Sequence, residues 1–282
     1  MEEKSHSQRG ARLVYWRTMK HQWLAAGFLV LILALAGCQS AEKNKLKELK
    51  ALLSGSGLSS DAAAAVSRKI DGSKDRFLLL IDAVTAEMRE DPYLLRRADK
   101  RKSLPPDYEP ADLLSLDGME LSLSRTGHRL RKPVLDTLLR MSKAAAGEGV
   151  SLLVSSTYRS YEYQKNLFTR NVVEMGEKEA SRVSAAPGTS QHQLGTAIDF
   201  GSITDAFAET KAGRWLERNA GRFGFSLSYP KGKEELTGYV WESWHYRFIG
   251  LTAVALQDEF FDGIQHNLML FLDALYLSKV SP

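Results

Sequence analysis

The sequence predicts an α+β protein, and three observations carry that prediction. Helix-period apolar patterns come first along the chain and short strand-like runs come later, without the regular βαβ alternation of a doubly wound sheet. Hydrophobic residues are 44% and charged residues 26% of the 282, an ordinary globular balance that excludes collagenous or wholly disordered classes. There is a single cysteine, no internal repeat and no glycine-rich phosphate loop, which excludes a disulfide framework and argues against a solenoid or a nucleotide fold. The net charge of +4 is concentrated at the start: residues 1–37 hold five basic against two acidic residues, and the remainder holds 33 against 32. A net of +1 there gives no basis for nucleic-acid binding, and no nucleic-acid partner is expected.

Taken in order, residues 1–37 read as a secretory signal. Lys20 and His21 precede an apolar run, Leu24 to Ala36, that is shorter than the about 20 residues of a membrane span. Met19 is a plausible true start, since Met19-Lys20 opens a signal of normal length. Leu35-Ala36-Gly37-Cys38 resembles a bacterial lipobox, which implies lipidation of Cys38 as the first mature residue. The protein is then expected to be exported and held on the bacterial cell envelope, on the periplasmic side of a membrane, by its N-terminal lipid. Gln39 supplies no acidic retention signal, which favours an outer membrane where the cell has one.

Residues 38–103 are expected to form a helical spacer. Leu46, Leu49, Leu52 and Leu53 fall at helical spacing before the break at Gly55-Ser56-Gly57, and Phe77, Leu80, Ile81, Val84 and Met88 mark a second helix over about 73–90. A partner-binding helix is the alternative for this stretch. The main domain is expected over 104–282, entered through the proline-stiffened Leu104 to Pro110. Pro133 opens an amphipathic helix to about Ala146, followed by a strand from Val150 to Ser155 and a helix from Ser160 to Met175. Gly195 to Phe200 reads as a strand, Thr204 as the cap of a helix through Asn219, and Tyr239 to Ile249 as a strand pair with its turn. Phe260, Phe261, Ile264, Leu268, Leu270, Phe271, Leu275 and Tyr276 suit one or two closing helices packed on the core.

Three segments hold nearly all the plausible chemistry: 155–164, 190–199 and 241–246. With Cys38 assigned to lipid, any metal site must use His, Asp and Glu. His192 and Asp199 flank a glycine-containing turn and His245 adds an imidazole from far along the chain. Two His and one carboxylate leave the fourth position of a tetrahedral zinc open for water, the pattern of a catalytic site, and such a metal brings water to ionise near neutral pH. Glu242 is close enough in sequence to take that proton, provided the chain turns at Ser243-Trp244, because residues three apart on a straight strand face opposite ways. Arg159, at a strand-to-helix junction, suits a fixed donor to a developing oxyanion. Taken singly each signal has a plainer explanation: Asp199 as a turn cap, Arg159 as a surface ion-pair partner, Trp241 and Trp244 as core. His128 and His266 match no motif and are expected to be structural.

Ser-x-His-x-x-Gly-x-Ala-x-Asp at 190–199 with Glu-x-Trp-His at 242–245 resembles the VanY-type D-alanyl-D-alanine carboxypeptidases, zinc peptidases grouped with lysostaphin-like enzymes and the hedgehog signalling domain. The Tyr158-Arg159-Ser160 to Gln164 element, Pro187-Gly188, and Gly224-Phe225 to Tyr229-Pro230 are similar too, so that the resemblance covers about 104–255. It implies a small central antiparallel sheet flanked by helices, a Zn2+ cofactor, and cleavage of peptides ending in D-amino acids, as in peptidoglycan stem peptides. It implies His192, Asp199 and His245 as zinc ligands, Glu242 as base, Arg159 as oxyanion-stabilising arginine, and Gln164 and Ser190 as substrate contacts. Many relatives have Pro where this chain has Ser243, a change that loosens the turn carrying Glu242. L,D-carboxypeptidase, cross-link endopeptidase and inactive cell-wall peptide-binding module remain open as alternatives, as does another divalent metal.

Overall fold

The computed structural model describes residues 40–280, with side chains through 278. The expected signal segment, the start at Met19 and the lipidated Cys38 lie outside these residues. The described chain falls into two units divided between Ala51 and Leu52, a point inside helix α1 (residues 40–55). All elements from α2 onward belong to the second unit.

A five-stranded sheet lies at its centre in the order β2-β4-β5-β7-β6: β2 (Ser122–Leu123), β4 (Leu153–Ser156), β5 (Ala197–Phe200), β7 (His245–Phe248) and β6 (Phe225–Leu227). It is antiparallel except at the edge, where β2 pairs parallel with β4. A separate pair, β1 (Leu113–Ser115) with β3 (Arg129–Arg131), precedes α4 (Lys132–Gly147). Strand alternation divides the two faces. Ile198, Phe200, Tyr246 and Phe248 enter a core with Leu135, Leu138 and Met141 of α4, while Asp199 and His245 point the other way. Helices α5 (Tyr161–Met175), α6 (Glu177–Val183), α7 (Lys211–Asn219) and the one-turn α8 (Glu234–Thr237) occupy the connections.

Several boundaries differ from the sequence reading, each for a local reason. The strand expected from Val150 starts only at Leu153, because the Val150 N–H is spent on the Ala145 carbonyl at the end of α4. Thr204 does not cap a long helix. A 3₁₀ turn, Asp205–Glu209, intervenes, and it is Thr210 whose hydroxyl accepts from Gly213 N at the start of α7. Residues 239–244 form no strand, since the Val240 and Glu242 N–H groups go singly to the Arg182 and Tyr229 carbonyls; β7 pairs with β5 and β6 instead.

Helices α2 (Ser60–Gly72) and α3 (Lys74–Glu90) dock on the closing helices α9 (Leu251–Phe260) and α10 (Gln265–Val280). The fully buried Phe77 meets Phe260 edge-on at 5.0 Å and lies 6.3 Å from Phe271. Arg76–Glu259 and Lys69–Asp262, each 2.6 Å, ring that contact at the surface. Residues 52–103, expected as part of a spacer, are thus built into the unit that carries the sheet. Arg247 of β7 extends the tie by donating to the Leu94 and Arg96 carbonyls at 3.0 and 2.8 Å.

Candidate active site

The β5–β7 register is what assembles the site. Asp199 and His245 are directly opposed, and in an antiparallel pair opposed residues share a face with their side chains in contact. His192 arrives from the 3₁₀ turn Gln191–Leu194 just before β5. That turn ends at Gly195, whose φ of +68° and whose missing Cβ, which would stand 2.9 Å from Arg131 Cγ and Leu113 Cδ2, leave room for no other residue without rearrangement. The proline segment braces the same turn from outside, Gln193 donating to the Pro105 and Tyr108 carbonyls at 3.0 and 3.1 Å. The turn required between Glu242 and His245 is present, with His245 N 3.4 Å from the Glu242 carbonyl and both side chains on one side.

Four groups converge. Asp199 Oδ2 lies 3.2 Å from His192 Nε2, and Asp199 Oδ1 lies 3.1 Å from His245 Nδ1. Glu242 Oε2 stands 3.3 Å from that same His245 nitrogen. His192, Asp199 and His245 are all buried, their ligand atoms lie within 4.8 Å of one another, and they form a group that can hold a metal ion. Both tautomers suit that task. His192 Nδ1 donates to the Thr157 carbonyl at 2.7 Å and His245 Nε2 to Gln191 Oε1 at 3.1 Å, which turns the lone pairs of Nε2 and Nδ1, respectively, toward Asp199. His192 Nε2 and Asp199 Oδ1 are buried without a hydrogen-bond partner, a costly arrangement that a cation between them relieves.

The electrostatics agree. Burial and then the Arg159 guanidinium hold His192 down at about 4, so its ring is neutral. Burial also opposes charge on His245, but the Asp199 and Glu242 carboxylates facing its Nδ1 win and push it up to about 9, an attraction for a proton that a bound cation at the same point would take over. Burial alone would raise the Asp199 carboxyl; the two imidazoles outweigh it and hold the group well below the usual range. Two carboxylates around one imidazole nitrogen call for positive charge there, which a divalent cation provides.

Arg159 is fixed on three sides: Nη2 donates to Asp199 Oδ2 at 2.9 Å, Nε to Ser156 Oγ at 3.1 Å and Nη1 to Gln164 Oε1 at 3.0 Å. Ser160 caps α5 immediately after it, accepting from Tyr163 N, so the arginine sits at a rigid junction. The structure puts Gln164 in a different role from the expected substrate contact. Its side chain is fully buried and borders no open space; Oε1 receives Arg159 and Nε2 donates to the Ala185 carbonyl at 2.8 Å. It stands behind the arginine. Ser190 does border the cleft, and its hydroxyl accepts from His192 N at 3.3 Å.

The cleft above these groups has a volume of about 310 Å³. One face of α5 walls it with Tyr163, Leu167 and Asn171, and Ile203 and Trp244 close the other side. Trp244 serves both the cleft and the core, whereas Trp241 is half-buried under Lys231, 4.8 Å from the ring. His128 is structural, held between Ser124 and Thr157. Sequence reasoning missed three contributors. Gln191 was visible only as the neighbour of His192, and Tyr229, 4.8 Å from the His245 ring, only within a family-like stretch. Arg125, on the cleft rim with a bond only to the Thr126 carbonyl and no acidic partner among the described residues, carries no sequence signal at all.

Comparison with known proteins points the same way. The family model VanY, D-alanyl-D-alanine carboxypeptidase, matches residues 127–251. The putative carboxypeptidase YodJ of Bacillus subtilis is 33% identical over 253 residues, spanning 83% of this chain and 91% of the relative. The structure of the LdcB LD-carboxypeptidase is 34% identical, with 63% of this chain and 84% of that one covered and a TM-score of 0.54. That of the vancomycin resistance D,D-pentapeptidase VanY in complex with Zn(II) is 30% identical, with 63% and 99% covered and a TM-score of 0.52.

Proposed function

The chain belongs to the VanY-type D-alanyl-D-alanine carboxypeptidase family, and from that premise we propose that it is a zinc-dependent carboxypeptidase removing the terminal D-amino acid from peptidoglycan stem peptides. The observation that carries the reading is the convergence of His192 Nε2, Asp199 and His245 Nδ1 at the base of a cleft, with Glu242 leaning on the same point. His192, Asp199 and His245 would hold a zinc ion, which would supply a Lewis acid and activate water as a nucleophile at neutral pH. Glu242 accepts the water's proton on its carboxylate and returns it to the departing amine. Arg159, held by Ser156, Gln164 and Asp199, offers a preorganised positive charge to the oxyanion of the tetrahedral stage. Leu167, Ile203 and Trp244 suit alanine methyl groups. Arg125 suits the free carboxylate that every carboxypeptidase substrate presents.

The deciding experiment is digestion of purified pentapeptide and tetrapeptide muropeptides by the zinc-loaded protein, with the products weighed. Loss of one alanine from the pentapeptide supports the D,D reading. Loss from the tetrapeptide supports an L,D-carboxypeptidase, a second reading favoured by the equal likeness to LdcB. No cleavage, with zinc bound, leaves a cell-wall peptide-binding module. The same proposal includes export and lipid anchoring at Cys38, supported by the Leu24–Ala36 run and its lipobox-like end. Metabolic labelling with a fatty-acid analogue should mark the wild type and not Cys38→Ala. Among the described residues no helix is long and apolar enough to cross a membrane.

A further inference from the structure

On the Nε2 side of His245 lies a chain of buried amides that the peptidase chemistry does not use. Gln191 Oε1 receives His245 Nε2 at 3.1 Å and the Ser228 hydroxyl at 2.7 Å. Gln191 Nε2 faces Gln265 Oε1 at 3.4 Å, which Ser228 Oγ also reaches at 3.2 Å. Gln265 Nε2 donates to the backbone carbonyl of Ser226 at 3.2 Å. Gln191, Ser226, Ser228 and Gln265 are 8%, 5%, 2% and 1% exposed, so no bulk water stands in for a missing partner.

An amide side chain fits a slot either way round, and its neighbours decide which. Here one end is not negotiable: a backbone carbonyl only accepts. Gln265 must therefore turn its nitrogen to Ser226 and its oxygen to Gln191. Gln191 must then turn its nitrogen to Gln265 and its oxygen to His245. Nε2 of His245 must carry the hydrogen, which leaves Nδ1 as the lone pair facing Asp199. With Gln191 reversed, an N–H pair would face Nε2, and the neutral ring would carry its hydrogen on Nδ1, where it blocks ligation. We infer that Gln265, on the C-terminal helix α10, is a positioning residue for the metal site: through Gln191 it selects the ligating tautomer of His245. It lies beyond the segment matched by the family model, which ends at 251. His192 needs no such device, because its Nδ1 meets a backbone carbonyl directly.

The inference rests on the metal reading above, and zinc affinity of the full chain, measured by chelator competition, tests the two separately. Gln265→Met, close in size and without polarity, should weaken zinc binding about 10- to 100-fold. Gln257→Met is the control: Gln257 is equally buried and bonds the Ser226 hydroxyl at 2.7 Å, but lies outside the chain that orients Gln191, so zinc affinity should hold. In a Gln191→Glu background Gln265→Met should cost nothing, since a carboxylate accepts through either oxygen. If Gln265→Met does not fold, Gln265→Asn, too short to reach both partners, should show the same loss. Wild-type affinity in the Gln265 variants, equal losses at Gln257 and Gln265, or an undiminished loss in the Gln191→Glu background would each overturn the inference. A wild-type protein that held no zinc would overturn the metal reading and this inference with it.

Discussion

The face of the sheet under the cleft and the helical layer of α2, α3, α9 and α10 bury opposite kinds of side chain. Under the cleft the deepest groups are polar: His192, Asp199, His245 and Gln164, none above 4% exposed. In the layer the aromatic contact of Phe77, Phe260 and Phe271 is buried, and the Arg76–Glu259 pair beside it stays outside, its side chains 46% and 38% exposed. Burying charge costs more than exposing it unless partners are supplied, and in those four residues under the cleft only His192 Nε2 and Asp199 Oδ1, aimed at the metal position, lack a hydrogen-bond partner. The aromatic contact has no such constraint and gains its free energy from apolar area. Changes under the cleft should therefore strike turnover, and changes at the aromatic contacts of the layer should strike stability.

The sharpest break comes from Glu242→Gln. It keeps shape and removes the base, so kcat should fall about 1,000-fold or more, roughly 4 kcal/mol, while zinc content is unchanged; turnover near wild type would remove Glu242 from the mechanism. Phe77→Ala comes next and from the other region. Loss of a fully buried ring should lower unfolding free energy by about 3–5 kcal/mol in denaturant titration, with kcat preserved at a temperature where the protein stays folded. A matching fall in kcat would show that the layer is not separable from the chemistry. Arg159→Lys retains charge but forfeits the three-sided hold, and kcat should drop about 100-fold with KM little altered. Arg125→Ala is the mildest: KM should rise about 10-fold for a peptide with a free terminal carboxylate and stay level for its amide. Equal effects on both peptides would place that carboxylate elsewhere.

How far the sequence disclosed each region follows from range. His192, Asp199, Glu242 and His245 were legible because metal chemistry restricts residue type, and even the turn at Ser243-Trp244 followed from strand geometry. The zinc-ready pair of lone pairs was not, because it depends on a carbonyl at Thr157 and an amide at Gln191, neither of which has a sequence mark. Gln164 drew a substrate role from its position in a motif, yet its amide is consumed holding Arg159, a contact no spacing reveals. Strands β1, β2, β3 and β6 are two or three residues long, too short to show a period of two. Helix α2 hid behind the alanines at 62–65, which give little apolar contrast, although Ser59 supplies its N-cap. The apolar stripe of α3 announced a helix but not its partner, because docking on α9 joins segments far apart in sequence.

The central claim is that one metal ion sits between two imidazoles and a carboxylate. Crystals soaked in zinc and measured across its absorption edge test it directly. One anomalous peak is expected, with His192 Nε2, His245 Nδ1 and an Asp199 oxygen all at about 2.0–2.2 Å. A strong peak elsewhere, or none at this position in zinc-saturated protein, would contradict it.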